Sequence, residues 1–253
     1  MYSNIILLKE PPIAKITLNK PETLNALSFD LLVELDQALN EVSKNKDVKV
    51  LVITGSGRSF CAGADLKFMS RLETPKELLD YIQYLNEVFL KIENLERPVV
   101  AGVNGYALAG GLELMLCCDL AISSEKAVLG DEHINRALMP GGGSTFRLPK
   151  IIGLRRAKEL LFTGDRWTAT QAFEVGLINK VVPADKLEES VNELALKLAS
   201  KSSIATRLLK QVVNQASDTN RETAQKLERM AFNAVFTSHD AQESLKSFLS
   251  KTK

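Results

Sequence analysis

A glycine-rich turn between an apolar strand and an apolar helix constrains the fold of this chain most. The apolar run at residues 99–103 predicts a buried strand, and in residues 104–113 a turn follows in which Gly110 and Gly111 open a helix. The N–H groups at a helix N-terminus have no acceptor within the helix, and together with the helix dipole they favour a negatively charged oxygen. We therefore expect an anion-binding position beside Gly110.

Glu113 is a candidate for proton transfer at this position. It follows Gly110 by three residues, and so lies about one turn further along a similar face of the helix. A glutamate in the first turn often does no more than complement the helix dipole. Its apolar neighbours, however, predict that this helix is buried: Leu112, Leu114, Met115 and Leu116. Because ionisable side chains are seldom buried without a partner or a function, we interpret Glu113 as a catalytic acid or base.

Strands alternate with helices over the first part of the chain. Residues 13–18 alternate between apolar and polar with period two, and residues 48–54 form a β-branched run. Ser28 is placed to cap a helix, and Thr74 with Glu77 forms a capping box with a proline between them. These patterns predict an α/β core over residues 1–185.

The final third of the chain has the pattern of helices only. A helix is predicted to begin at Thr168 and to end at Gly176, another to begin at a capping box that starts with Thr219, and a last one to follow Ser238. Residues 186–253 are therefore predicted to form a C-terminal helical region. Its apolar stripes need burial, either on the core or on another subunit, which favours self-association.

Composition argues against several classes of partner. The 253 residues include 32 basic and 31 acidic side chains, a formal net charge of +1, so there is no electrostatic case for nucleic acid or a membrane surface. No apolar run is long enough to predict a membrane span. The cysteines Cys61, Cys117 and Cys118 do not suggest a disulfide framework, and with His133 and His239 they show no metal-ligand spacing. We expect no metal and a reducing, cytoplasmic location.

Two further glycine-rich segments stand near the predicted helix starts. In residues 55–67, small side chains at positions 61–64 let a ligand approach the backbone, although a plain connection would have the same composition. Residues 139–145 lack the lysine and the spacing of a phosphate-binding loop. We interpret them as a tight turn that opens a helix.

Together these segments resemble the enoyl-CoA hydratase/isomerase family, or crotonase superfamily, over nearly the whole chain. The motifs that carry the resemblance are Leu18-Asn19-Lys20-Pro21, Leu24-Asn25-Ala26-Leu27, the loop from Cys61 to Lys67, the segment from Val103 to Glu113, Cys118-Asp119, Leu138-Met139-Pro140-Gly141, Gly176-Leu177-Ile178-Asn179 and Val181-Val182-Pro183.

The resemblance implies an α/β fold, a spiral of repeated ββα units with a C-terminal helical trimerisation region. It further implies a homotrimer or a dimer of trimers. The substrate would be an acyl-CoA thioester, with no cofactor besides the coenzyme A that the substrate carries.

It also implies roles for individual residues. The backbone N–H groups of Ala64 and Gly110 would form an oxyanion hole for the thioester oxygen, which agrees with the anion position inferred from the glycines. The acyl-CoA would contact seven residues of two loops: Asn25, Ala26, Leu27, Ala62, Asp65, Leu66 and Lys67. Lys67 would reach a phosphate, or would be an ordinary surface lysine.

One position departs from the pattern. Hydratases of this family use two glutamates, and Glu113 matches the first of them. Counting back from Pro140, the second position falls on His133, and the nearest carboxylate is the adjacent Glu132. A histidine titrates near neutrality, so His133 is a candidate catalytic residue that assists with water or delivers a proton. The alternative is a structural histidine.

The resulting hypothesis is an enoyl-CoA hydratase that adds water across the C2=C3 bond of a trans-2-enoyl-CoA. A Δ3,Δ2-enoyl-CoA isomerase, a thioester hydrolase and a decarboxylase are alternatives on the same scaffold. Some relatives of the family bind RNA through lysine-rich helices. Here the helix that starts at Thr74 carries two lysines against five acidic residues up to Glu96, which opposes that function.

Overall fold

The computed structural model describes residues 2–251. Its strands are β1 (Ile5–Glu10), β2 (Ile13–Leu18), β3 (Val50–Gly55), β4 (Ser59–Cys61), β5 (Val99–Val103), β6 (Tyr106–Leu108), β7 (Leu120–Ser124), β8 (Val128–Gly130), β9 (Trp167–Thr168) and β10 (Lys180–Val182). Its helices are α1 (Phe29–Lys44), α2 (Leu66–Met69), α3 (Pro75–Glu93), α4 (Gly110–Leu116), α5 (Ser144–Ile152), α6 (Leu154–Thr163), α7 (Ala169–Glu174), α8 (Leu187–Ala199), α9 (Ser203–Ala216), α10 (Arg221–Phe236) and α11 (His239–Lys251).

The strands form two sheets that the chain visits in turn. The larger sheet has the order β1-β2-β3-β5-β7-β10, and the smaller sheet has the order β4-β6-β8-β9. Neighbouring strands are parallel except for the pairs β1–β2 and β8–β9. The pairs β3–β4, β5–β6 and β7–β8 each place one strand in each sheet before a helix follows. The expected spiral of ββα units is thereby confirmed.

Close backbone contacts fix the corners of this spiral. A Cβ atom on Gly105 would lie 2.0 Å from the carbonyl oxygen of Arg58, and one on Gly111 would lie 1.9 Å from that of Cys61. Both separations are far below van der Waals contact, so a larger residue would push the two units apart. These contacts hold the turn between β5 and β6 against the turn between β3 and β4, and the start of α4 against the end of β4.

Local signals in the sequence located most helix starts correctly. The Ser28 hydroxyl accepts a hydrogen bond from the N–H of Leu31, and Thr74 forms the predicted capping box with Glu77. Thr168 caps α7 with a capping box of its own. Each cap supplies an acceptor for a backbone N–H that has none within the helix.

Two predictions for the last third of the chain are wrong. This part contains strands as well as helices, because β9 and β10 join the edges of the two sheets. Strands of two or three residues are too short to show a period, so only pairing with a neighbour defines them. In addition, α10 is capped by Asn220 and not by Thr219, since the Asn220 side chain accepts from the N–H of Thr223 at 2.9 Å.

The helices after residue 185 differ in what they cover. Helix α8 packs on the larger sheet, where Val191 and Ala195 bury Val52 and Val100 in a second apolar cluster. Helices α9 and α10 pack chiefly on each other. Several large apolar side chains of these two helices and of α11 are exposed, among them Leu209, Val213, Met230, Phe232, Phe236 and Leu249. Within the described residues no helix is long and apolar enough to cross a bilayer.

Asn25 ties together the loops that precede the spiral corners. Its side chain is fully buried, and its backbone has a positive φ of 58°. The amide nitrogen donates to the carbonyl oxygens of Ser56, Ser59 and Phe60 at 3.0, 2.8 and 3.3 Å, and the amide oxygen accepts from the N–H of Lys20 at 2.9 Å. A single side chain thus satisfies backbone groups from two loops.

We expect Asn25→Ala to lower the free energy of unfolding by about 2–5 kcal/mol, because it leaves several buried backbone groups without a partner at about 1–3 kcal/mol each. Urea unfolding followed by circular dichroism measures the change. The control is Asn40→Ala, at an exposed position of α1. An equal effect of the two substitutions would contradict this role of Asn25.

Candidate active site

A cavity of about 430 Å³ opens between the two glycine-rich loops, α3 and the segment before α5. Its wall is mostly apolar, with Leu66, Met69, Ile82 and Leu85 among the lining residues. The predicted chemical groups line the same cavity: Ala64, Gly110, Glu113 and His133. The structure therefore brings together residues that lie up to 69 positions apart in the sequence.

The backbones of Ala64 and Gly110 meet without a side chain between them. A Cβ atom on Gly110 would lie 3.2 Å from the Ala64 nitrogen, and one on Gly63 would lie 3.3 Å from the Gly110 nitrogen. In the part of the chain that is described, neither N–H donates to a backbone or side-chain acceptor. Two unpaired donors at one cavity wall are the arrangement that holds an oxyanion.

The backbone just before α4 is strained. Ala109 has φ 49° and ψ −121°, a combination that residues with a side chain rarely adopt. Its N–H donates to the carbonyl oxygen of Gly130 at 2.8 Å, which holds this turn against the end of β8. Strain of this kind is tolerated where the surrounding structure fixes the backbone, and it is concentrated at functional sites.

Glu113 is held by the segment that precedes α5. Its side chain is buried, and its Oε1 accepts hydrogen bonds from the N–H groups of Gly142 at 2.8 Å and of Ser144 at 3.1 Å. Oε2 makes no described hydrogen bond with the protein, and Glu113 lines the cavity. One carboxylate oxygen is thus anchored, while the other is left for a small ligand such as water.

Absence of a side chain at Gly142 makes this anchoring possible. A Cβ atom there would lie 2.6 Å from Oε2 of Glu113. The Gly142 carbonyl oxygen accepts from Nη1 of Arg147 at 2.8 Å, and Nη2 of the same guanidinium donates to Glu93 at 2.7 Å. Arg147 therefore fixes the peptide whose neighbouring N–H binds Glu113.

Burial raises the pKa of Glu113 above its ordinary value. The hydrogen bonds from the backbone of Ser144 and Gly142 and the charge of His133 act in the opposite direction, and the charge of Asp131 adds to the rise. Burial prevails because the charged form loses its hydration. A carboxylate with a raised pKa is a stronger base, as proton transfer from water requires.

His133 lies in the cavity wall and pairs with a carboxylate that was not singled out in the sequence. Its Nδ1 is 2.8 Å from Oδ1 of Asp131, and the side chains are 14% and 1% exposed. His133 begins a 3₁₀ turn that runs to Arg136. The structure thus places a titratable imidazole, oriented by a carboxylate, in the same cavity as Glu113.

Glu132, the alternative occupant of this position, has other partners. The backbone of Glu132 has φ 55°. Its carboxylate pairs with Arg166 and, at 3.8 Å, with Arg136. It lines the cavity as His133 does, but two arginines neutralise it. Glu132 thus has cationic partners of its own, whereas the imidazole of His133 pairs with Asp131.

The residues predicted to bind acyl-CoA divide into two groups. Ala62 and Leu66 line the cavity. The other five lie on its supporting loops and outside its lining: Asn25, Ala26, Leu27, Asp65 and Lys67. Asn25 bonds to backbone, and Asp65 caps α2 by accepting from two N–H groups. Contact of these five residues with the coenzyme A part of a ligand stays a prediction.

The cysteines have the environment of packed side chains. Burial raises the pKa of Cys61 to about 12 and that of Cys117 further. Thiols that stay protonated are poor nucleophiles. Within residues 2–251, no three His, Cys, Asp or Glu side chains are grouped as metal ligands would be.

Sequence reasoning missed three residues that shape the site. Gly142 and Ser144 belong to a segment that was interpreted only as a turn, and Asp131 stands two positions before His133. A run of glycines before a helix is only a weak signal for an anion-binding backbone, because the sequence does not identify the anion that the N–H groups bind. A search for carboxylates near His133 would have found Asp131, but also Glu132.

Comparison with known proteins shows which sequences and folds this chain is similar to. The family model described as enoyl-CoA hydratase/isomerase matches residues 9–253. A crotonyl-CoA hydratase of Syntrophomonas wolfei is 41% identical over 253 residues, which cover 100% of this chain and 97% of that protein. A short-chain-enoyl-CoA hydratase of Clostridium acetobutylicum is 37% identical over 252 residues, with coverage of 99% and 96%. The crystal structure of an enoyl-CoA hydratase from Bacillus anthracis superimposes with a TM-score of 0.94 at 38% identity, with coverage of 98% and 97%.

We expect Glu113→Gln to stabilise the fold at neutral pH. A carboxyl group whose pKa is raised on folding contributes stability that is complete below its unfolded pKa and is lost as the pH rises through the folded pKa. A neutral amide avoids this loss, so the variant should be more stable by about 0.5–2 kcal/mol near pH 8, and by less near pH 5. Thermal unfolding at both pH values measures the difference.

Glu159→Gln, at an exposed position of α6, is the control and should change little. A Glu113→Gln protein that is less stable than the wild type at every pH would mean that the backbone contacts of the carboxylate outweigh its burial.

Proposed function

The chain belongs to the enoyl-CoA hydratase/isomerase family, and on that basis we propose that it is a hydro-lyase that adds water across the C2=C3 bond of a trans-2-enoyl-CoA. The observation that carries this proposal is the placement of Glu113 in the same cavity wall as the unpaired N–H groups of Ala64 and Gly110. A base and an oxyanion hole are the two parts that addition to a thioester-conjugated double bond requires.

The reaction proceeds through an enolate. Oε2 of Glu113 accepts a proton from water as the water oxygen bonds to C3, and the π electrons of C2=C3 move to the thioester oxygen. The N–H groups of Ala64 and Gly110 donate to that oxygen while its negative charge develops. Protonation of C2, assigned to His133, returns the electrons and gives the 3-hydroxyacyl-CoA. The chemistry uses no cofactor besides the coenzyme A of the substrate.

A short acyl chain suits both the cavity and the relatives. The lining around Glu113 is apolar, and crotonyl-CoA and short-chain enoyl-CoA are named in the descriptions of two relatives. We propose crotonyl-CoA as a substrate. Conversion of a 3-enoyl-CoA with little hydration of crotonyl-CoA would favour the isomerase, and release of free coenzyme A or carbon dioxide would favour a hydrolase or a decarboxylase.

We also propose assembly as a trimer or a dimer of trimers through α9–α11. Exposed apolar side chains on these helices support this, and so does a cavity of about 530 Å³ between α9 and α10. Such a surface on a monomer would be an aggregation hazard. A cytoplasmic location is supported by the free thiols of the three cysteines.

We expect Glu113→Gln to lower kcat for hydration of crotonyl-CoA by about 10²–10⁴-fold, because the amide cannot accept the proton of water. Loss of the ultraviolet absorbance of the conjugated thioester follows the reaction. Glu159→Gln is the control, and circular dichroism reports whether both variants fold. Unchanged turnover in Glu113→Gln would remove this residue from the chemistry.

We expect Phe232→Glu to shift the assembly to smaller species. Phe232 is 68% exposed and stacks on Phe236 at a ring-centroid distance of 5.8 Å, so a charge there would be desolvated in an interface. Light scattering after gel filtration measures the mass, with Phe162→Glu on α6 as the control. A wild-type protein that is monomeric at micromolar concentration would contradict the proposed assembly.

A further inference from the structure

We propose that Asp131 is a positioning residue for hydration: through Nδ1 it holds the imidazole of His133 as the charged, oriented donor of the proton that C2 receives. The inference rests on the proposed hydratase function. It concerns the position at which the chain departs from the paired glutamates that the family resemblance implies.

The geometry fixes the direction of the hydrogen bond. Oδ1 of Asp131 lies 2.8 Å from Nδ1 of His133, and a carboxylate has only acceptor capacity, so Nδ1–H is the donor. The other ring nitrogen, Nε2, is then the one left for the cavity that His133 lines. An imidazole fixed in this way presents one defined nitrogen to the substrate.

The surroundings of Asp131 favour a cation at His133. The aspartate is 1% exposed, its Oδ2 has no described hydrogen-bond partner, and no described Lys or Arg nitrogen lies within 4.0 Å of it. A buried carboxylate needs an opposite charge, and among the described residues the imidazole is the group that supplies it. Asp131 and His133 are therefore best satisfied as an ion pair.

The neighbouring carboxylate does not compete for the imidazole. Glu132 is paired with Arg166 and Arg136, which also line the cavity. Its left-handed backbone turns its side chain away from those of Asp131 and His133. The two consecutive acids therefore pair with different groups: Asp131 with the imidazole, and Glu132 with the arginines. The adjacent position of Asp131 and Glu132 in the sequence conceals that difference.

Several charged groups act on His133. Burial alone disfavours the imidazolium, but the hydrogen bond and charge of Asp131, together with the charge of Glu113, outweigh it, and Arg136 opposes them. The net effect raises the pKa of His133 above its ordinary value. Glu132 and Arg166 also line the cavity and neutralise each other there. The donor form is therefore retained to a higher pH than in a free histidine.

The proton balance closes over one turnover. Glu113 takes a proton from water as the C3–O bond forms, and Nε2–H of His133 gives a proton to C2 as the enolate collapses. The site is then left with a neutral imidazole and a protonated carboxyl group. Transfer of the Glu113 proton to His133 through water restores the starting state, and the net change is addition of one water molecule.

The kinetic test is the pH dependence of kcat in Asp131→Asn. Loss of the negative charge lowers the pKa of His133, so the alkaline limb of the profile should move to lower pH. With crotonyl-CoA, kcat of the variant near pH 8 should be lower than that of the wild type by about tenfold or more. Near pH 6 the difference in kcat should be smaller, and KM should change little at either pH.

Two comparisons separate positioning from a merely structural role. Asp119→Asn removes another acid that is held in an ion pair, with Lys210 outside this cavity, and should leave the alkaline limb in place. In a His133→Glu background, which restores the family's paired glutamates, Asp131→Asn should no longer lower kcat. An unmoved alkaline limb in Asp131→Asn, or an equal loss in both backgrounds, would overturn the inference.

A direct titration tests the inference independently of activity. The chain has two histidines, and His239 is 81% exposed, so His239→Gln leaves a single imidazole for NMR. We expect its pKa to lie above that of a free histidine, with Nδ1 protonated throughout, and to fall when Asp131→Asn is added. A pKa at or below the ordinary value in the unaltered site would refute the ion pair.

The kinetic and NMR measurements together distinguish failure of the hydratase proposal from failure of the proposal for Asp131. Absence of crotonyl-CoA hydration with a raised His133 pKa would reject the hydratase function and keep the pair. Hydration with an unperturbed imidazole would reject the role of Asp131 alone.

Discussion

The two backbone N–H bonds to Oε1 of Glu113 are the interaction on which the site depends. They join α4, which carries the carboxylate, to Gly142 just before α5 and to Ser144, the first residue of α5. A carboxylate in this cavity loses its hydration, and these donors replace part of it without changing its position. Burial still prevails, so Glu113 is both fixed and basic. The fold gives up stability at this residue in exchange for a reactive group, as active sites commonly do.

The spiral of ββα units makes that interaction possible. Each unit crosses from one sheet to the other, and successive crossings stack where Gly105 and Gly111 allow backbones to touch. The same stacking sets the Ala64 and Gly110 nitrogens at one wall. Asn25 adds a further link between the supporting loops through its buried amide. The donors for an oxyanion are therefore part of the scaffold, and their positions need little reorganisation during reaction.

The pairing of His133 with Asp131 changes the charge balance of the cavity. Two glutamates in one apolar site repel each other when both are ionised, whereas in the proposed mechanism an anion at Glu113 faces an imidazolium balanced by the carboxylate of Asp131. Opposite charges stabilise an ionised base and a protonated acid at the same pH, and the reaction needs both. A substitution that looks disruptive in the sequence is thus accompanied by its own counter-charge two residues away.

Local chemistry let the sequence predict several helix starts, the strands β2, β3 and β5 of the larger sheet, and Glu113 as a candidate residue, while the family resemblance added His133. Caps such as Ser28 and Thr74, and a glutamate amid apolar neighbours, act over one turn, so they are visible without the fold. Tertiary structure decided what depends on distant partners. The short strand β10 exists only through pairing with β7, and the Gly142 and Glu113 contact spans 29 residues. Asp131 lies close to His133 in the chain, yet only the left-handed turn at Glu132 decides which of the two acids the imidazole meets.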